Sequence, residues 1–193
     1  VQISSKNPQI KERFIEILIS INNHINYVAG NQDVTKNDLI GLVPSIFLLG
    51  ELFSYIKSLA DYDFTGLQLL ISERLPNGLN VPSKVRSITT ISLGKLCLCR
   101  RDISTSFVAA FAHQLHHTDD PIVKCNCLIV LCDLCVKYSA TVDPYVMEMS
   151  ACFADKSSVV RRQALLIMTR LISEDFVKMR SLIFFRFVHS LVD

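Results

Sequence analysis

Three pairs of residues, each apolar then basic, recur at a nearly fixed interval. Val85-Arg86, Val123-Lys124 and Val160-Arg161 stand 38 and 37 residues apart. Four residues past each apolar anchor come Thr89, Cys127 and Ala164; eight past it, Leu93, Leu131 and Met168; eleven past it, Leu96, Leu134 and Leu171. Offsets of 4, 8 and 11 fall on one face of a helix with 3.6 residues per turn. The spacing predicts helices near 84–98, 122–138 and 158–172.

A polar turn precedes each anchor: Asn80-Val81-Pro82-Ser83, Thr118-Asp119-Asp120-Pro121 and Asp155-Lys156-Ser157-Ser158. These residue types favour turns and helix N-caps. Before each turn lies another apolar helical stretch: Phe64–Leu75, Phe107–His116 and Tyr145–Phe153. The unit is helix, short turn, helix, a period that belongs to the helical solenoids. A lone hairpin of this kind cannot hide both apolar faces, so neighbours must stack. The expected fold is an all-α superhelix, with repeats over 61–100, 101–139 and 140–173. A further repeat begins at 174–193, in Glu174–Val192. Residues 1–60 form less regular helical pairs, Pro8–Ala29 and Asp38–Leu59. Pro44 kinks the second of these or ends its first part. Nothing in the pattern marks a second domain, so 1–193 reads as one array segment.

Stacking also accounts for the composition. Half of the residues are hydrophobic and 20% are charged, which excludes intrinsic disorder. The two longest stretches without Asp, Glu, Lys or Arg, Ile17–Gln32 and Ile103–Thr118, are rich in Asn, Gln, His, Ser or Thr. Both fall short of the roughly 18–20 apolar residues a membrane span needs. No signal peptide pattern opens the chain at Val1. The absent initiator Met and the apolar ending predict a piece of a longer protein. Seven cysteines, an odd number, read as reduced thiols in an intracellular protein rather than a disulfide scaffold.

The unit resembles a HEAT repeat, in which the turn carries Asp, Val-Arg opens the second helix, and a small residue follows. Asp155…Val160-Arg161…Ala164 matches this pattern well. Asp120…Val123-Lys124…Cys127 is close, and Asn80…Val85-Arg86…Thr89 is looser. More specifically, Val123–Asp193 is similar to the HEAT core of the D-type non-SMC subunits of condensin. The phrases that carry this are Ile129–Tyr138, Val142-Asp143-Pro144-Tyr145, Val159–Ala164 and Phe176-Val177-Lys178. Upstream, Leu48-Leu49-Gly50-Glu51-Leu52 and Ser92–Leu98 look similar to the same subunits, and Phe184-Phe185-Arg186-Phe187-Val188 leans toward the condensin II member. The resemblance implies a non-enzymatic scaffold in the nucleus, on chromosomes. Such a scaffold binds kleisin and SMC partners and DNA without sequence preference, and supports mitotic chromosome condensation. It implies no cofactor, small-molecule substrate or membrane. The alternative is a karyopherin-like or phosphatase-scaffold-like HEAT array that binds protein alone; salt-sensitive DNA binding separates the two.

Charge is split along the chain. Residues 1–80 hold 6 Lys/Arg against 8 Asp/Glu, and residues 81–193 hold 14 against 10. The basic ladder Arg86, Lys124 and Arg161 could track phosphates. The favoured expectation is that it pairs with turn carboxylates such as Asp120 and Asp155 and so registers adjacent repeats. Lys95, Arg100, Arg101, Arg162, Arg170, Lys178, Arg180 and Arg186 are the better candidates for DNA or partner contact, since few fixed carboxylates are evident for them. Arg162 and Arg170, eight apart on one helix, share a face.

Two clusters invite a metal reading. Cys125, Cys127, Cys132 and Cys135 all fall in one predicted helix, where steps of about 100° per residue point them in divergent directions. One tetrahedral ion cannot gather all four, and buried Cys is a good small hydrophobe. His113, His116 and His117 have possible ligand spacing, but no Glu or Cys on the same stretch completes a site, so they read as a polar helix end. Phosphate-binding, nucleophile-elbow and zinc-protease motifs are absent from the sequence.

Overall fold

A computed structural model describes residues 8–53 and 63–190. It is all-α, as the repeat predicts; among the described residues the only strand-like pairing is an isolated bridge between Arg74 and Asn80. The chain falls into two compact units that divide between Cys99 and Arg100.

The first unit holds α1 (Pro8–Gly30), α2 (Lys36–Gly41), α3 (Val43–Phe53), α4 (Thr65–Ile71) and α5 (Ser83–Cys99). Thr35 caps α2 in a reciprocal box with Asp38: the Asp38 amide donates to Thr35 Oγ1, and the Thr35 amide donates to the Asp38 carboxylate. The long helix expected from Asp38 breaks at Leu42, with Pro44 in the first turn of α3, where a missing N–H costs nothing. Residues 54–59 of that expected helix lie outside the described residues, as do 1–7 and 191–193.

Helix α3 packs on α5, and α1 packs on α3 and α4. Leu18, Ile25, Ile46, Leu49, Phe53, Leu67, Leu93 and Leu96 fill the space between them. Two close approaches set these contacts. A Cβ on Gly50 would lie 2.5 Å from Ser92 Oγ, and one on Gly66 would lie 2.5 Å from Asn26 Oδ1. Ser92 then donates to the Ile46 carbonyl, and the Gly66 amide donates to Asn26.

The second unit holds α6 (Arg101–His117), α7 (Pro121–Val142), α8 (Val146–Ala151), α9 (Ser158–Ser173) and α10 (Ser181–Ser190), with 3-10 turns on either side of α8. Helices α6 and α7 are joined by three residues and pack along each other, an antiparallel pair. Helix α9 packs on α7 and on α8 with its following turn. Asp120 caps α7, its Oδ1 accepting from the amides of Ile122 and Val123. Asp175 adopts a left-handed conformation just past α9 (φ 59°), and α10 supplies the helix expected after residue 174.

All twelve anchor-face residues, at offsets 0, 4, 8 and 11 in α5, α7 and α9, are essentially inaccessible to solvent. Full burial of each Val, Leu or Met among them is worth about 1.5–3 kcal/mol. One expectation needs correcting. The charge-free stretches fall short of a membrane span, yet Pro121–Ala154 contains a window apolar enough to meet that criterion. In the structure Val123, Cys127, Leu128, Leu131 and Leu134 of this run are buried in the helix packing. The apolar length belongs to a helix covered by neighbours on both flanks.

Candidate nucleic-acid and partner interface

The turn before α7 and the turn before α9 are wired to each other. Lys124, in the first turn of α7, reaches the Asp155 carboxylate of the following turn. Both side chains are under a tenth exposed. The other oxygen of Asp155 accepts from the Ser157 amide at the entry to α9. Arg161 donates to the Asp155 and Lys156 carbonyls, and Lys156 donates to Asp119 Oδ1 at 2.6 Å. Lys156, with a smaller contribution from Lys124, holds the Asp119 carboxyl below the usual carboxylate range.

Of the ladder, Lys124 makes the expected pairing with a turn carboxylate. Arg161 differs: it binds backbone carbonyls of the turn instead of a carboxylate. Arg86 is buried in the other unit, only 4% exposed. None of the three presents an open row of cations to a phosphate backbone.

The eight candidate contact residues separate into two groups: five have fixed partners, and for four of these the partner is a carboxylate, where few were expected. Lys95 pairs with Glu51 and lies over the Phe47 ring. Arg100 pairs with Asp102. Arg170 pairs with Glu174 one turn on. Arg180 makes two bonds to the Asp143 carboxylate, at 2.7 and 2.8 Å. Arg186 donates to the Met147 carbonyl and to Ser150 Oγ. Sequence alone does not name four of these partners, Glu51, Asp143, Met147 and Ser150, which lie 36–44 residues away. Arg101, Arg162 and Lys178 are exposed, and their side chains have no ion-pair partner among the described residues.

Arg162 and Arg170 do share the outer side of α9, but Leu166 lies between them, 59% exposed, and Val159 precedes them, 63% exposed. The same repeat positions on α7 hold Ile122 and Ile129, also exposed. The sequence reading missed these residues. The signal was available: they stand one residue before and six after the anchors Val123 and Val160.

The cysteines behave as packing. Cys127, Cys132 and Cys135 are buried, Cys125 is half-buried, and all seven cysteines are free thiols. Burial pushes the Cys132 thiol up and takes Cys135 and Cys152 to about 11. None of these is a thiolate near neutrality. His113 and His117 stack face to face, ring centroids 3.7 Å apart, and the His117 ring nitrogen bonds the His113 carbonyl. Near-parallel planes 3° apart cannot both aim an in-plane lone pair at a common ion.

Residues 122–193, α7 to the end of the chain, match the family model of the non-SMC mitotic condensation complex subunit 1. Condensin-2 complex subunit D3-L of Xenopus laevis is 42% identical over 116 residues, covering 60% of this chain and 8% of that protein. Condensin-2 complex subunit D3 of Mus musculus is 31% identical over 202 residues, covering 92% of this chain and 13% of that protein. Condensin complex subunit 1 of Homo sapiens is 26% identical over 176 residues, 91% of this chain and 12% of that protein. The chain therefore spans a small part of the length of the relatives it matches. No solved structure matches it.

Proposed function

The chain belongs to the D-type non-SMC condensin subunits, on the condensin II side, and from that premise we propose that it is a non-enzymatic scaffold segment of a condensin complex. In this reading its repeats belong to a HEAT array. The array binds kleisin and SMC partners, contacts DNA without reading its sequence, and works in the nucleus on mitotic chromosomes. One observation supports the proposal: the residues that match the family, 122–193, include the Lys124–Asp155 pair, which joins the start of one repeat's second helix to the turn of the next. A rigid, register-fixed stack is what a scaffold must supply to hold partners at set distances.

The test uses the whole subunit. Residues 122–193 are exchanged for a HEAT segment of a karyopherin-like protein, and recovery of the SMC and kleisin subunits with it is measured. The exchanged subunit is expected to lose partners and to fail in condensing mitotic chromosomes. Full recovery and full condensation would remove the proposal. DNA contact is assigned to Arg101 and Lys178, which have no ion-pair partner among the described residues. Reversing both to Glu should weaken binding to all duplexes alike and flatten the dependence of log affinity on log salt, by about 0.9 for each phosphate no longer neutralised. Unchanged affinity and slope would take DNA off these residues.

A further inference from the structure

We propose that the outer side of α7 and α9 is a docking site for an extended protein segment that is apolar and carries an acidic residue. This deepens the scaffold reading above and rests on it. The site is built from repeat-equivalent positions 37 residues apart. Ile122 and Val159 form one row, each the residue before a buried anchor, and Ile129 and Leu166 form the second, six residues after it. All four are between 43% and 63% exposed, while the anchors beside them, Val123 and Val160, are fully buried. Helices α7 and α9 pack directly on one another, so each row crosses from one helix to its neighbour. The rows lie seven residues, about 10 Å, apart along the helices.

Charge along the same face selects the occupant. The next row down pairs Asp133 with Arg170, again 37 apart. Arg170 is bonded to Glu174 and also acts on Asp133, so that row offers no unpaired cation. Between the two apolar rows lies Arg162, exposed and without an ion-pair partner among the described residues, and its equivalent on α7 is the neutral Cys125. A face with four exposed aliphatic side chains, one such cation and a rim whose only cation is already paired is poorly matched to a phosphate backbone, which needs several unpaired cations. It matches a peptide that lays apolar side chains over the rows and a carboxylate on Arg162. Neighbouring helix axes lie about 8–10 Å apart. A polyproline-II segment, with three residues per turn and a rise of about 3.1 Å, covers that distance in three residues and brings the third side chain back to the same side, so the expected partner carries apolar residues three apart, with Asp or Glu close by.

The experiment uses the complete subunit in a complex reconstituted from purified subunits and DNA. A photo-crosslinking phenylalanine (p-benzoyl) replaces Leu166, and adducts are mapped by mass spectrometry. The expected adduct is on a segment of another subunit with the apolar-and-acidic pattern. Arg162→Glu, and separately Ile129→Ser with Val159→Ser, should each lower its yield by at least about tenfold, the scale of a lost interface anchor. Thermal midpoint and helix content should hold, since these side chains are exposed. An adduct on DNA, an adduct on another part of the same subunit, or no adduct from an assembled complex would overturn this site and leave the scaffold reading standing. If no complex assembles around the unmodified subunit, both fall.

Discussion

The units on either side of residue 100 hold distant parts of the chain together by different chemistry. In the second unit the long-range polar contacts are mostly charged and come from turns and helix starts. Lys124 to Asp155, Lys156 to Asp119, Arg180 to Asp143 and Arg186 to Ser150 join residues 31–37 apart. In the first unit most are neutral amides and hydroxyls set into close helix contacts. Asn22 and Asn26 donate to the Asp63 carbonyl, Ser92 to Ile46, and Asn77 to the Asn31 and Gln32 carbonyls, across 37–46 residues. A long charged side chain bridges two turns without constraining how closely the helices approach, so its residue types recur with the repeat. A glycine–serine contact depends on one local geometry and need not recur.

The sharpest way to break this contrast is at Asp155. Asp155→Ala strands the Lys124 ammonium in a site under a tenth exposed. Removing one partner of such a buried pair costs about 3–5 kcal/mol. The double replacement Lys124→Met with Asp155→Leu should recover most of that, because the desolvation cost of both charges vanishes. Chemical denaturation of the three proteins checks this. A single change costing no more than the double would mean that the pair does not register the repeats. Ala164→Arg tests the apolar side of the same stack. Ala164 is inaccessible to solvent, and a guanidinium forced between α9 and its neighbours should cost on the order of 3 kcal/mol or more. An unmoved thermal midpoint would contradict that burial.

The first unit should fail at its glycines instead. On Gly50 a Cβ would lie 2.5 Å from Ser92 Oγ, 2.8 Å from its Cβ and 3.0 Å from its backbone Cα. Gly50→Ala therefore forces α3 and α5 apart, at a cost of about 1–3 kcal/mol. Gly41 meets nothing within 4 Å, so Gly41→Ala should be neutral or gain up to about 1 kcal/mol from the helix-favouring methyl. If both substitutions behave alike, close approach is not what sets the α3–α5 contact.

The same chemistry decides what the sequence revealed. The helices that follow the anchors were legible to within a few residues, because anchors, small residues and turn carboxylates recur every 37–38 positions and periodicity reads them directly. The break at Leu42 was half legible, marked by Pro44 but not by the Thr35–Asp38 cap that makes α2 a separate short helix. The glycine contacts were not legible, since nothing in Gly50 or Gly66 names Ser92 or Asn26 as its neighbour. Of the candidate contact residues, the sequence could identify exposed basic positions but not the carboxylates that occupy them. Asp143 is 37 residues from Arg180 and Glu51 is 44 from Lys95. The apolar rows on α7 and α9 were present in the repeat register, yet exposure of an aliphatic residue becomes visible only when the neighbouring helices are in place.

The smallest expected effect separates the two ion pairs within the charged unit. Lys156 and Asp119 bridge the same two turns as Lys124 and Asp155, but with side chains 66% and 88% exposed. Solvent and salt screen such a pair, so Lys156→Ala should lower the thermal midpoint less than Asp155→Ala, Ala164→Arg or Gly50→Ala. Its signature is in pH. Lys156 holds the Asp119 carboxyl below its ordinary range, so the folded state binds that proton less readily than the unfolded state. The stabilisation is therefore fully present above the unfolded carboxylate pKa and is lost as pH falls through the lower folded value. Thermal midpoints across the acidic range, at low and high salt, should show Lys156→Ala flattening this part of the profile at low salt and changing it little at high salt. If Lys156→Ala is as damaging near neutrality as Asp155→Ala, the exposed pair shares in fixing the repeat register. Burial would then not be what distinguishes the two bridges.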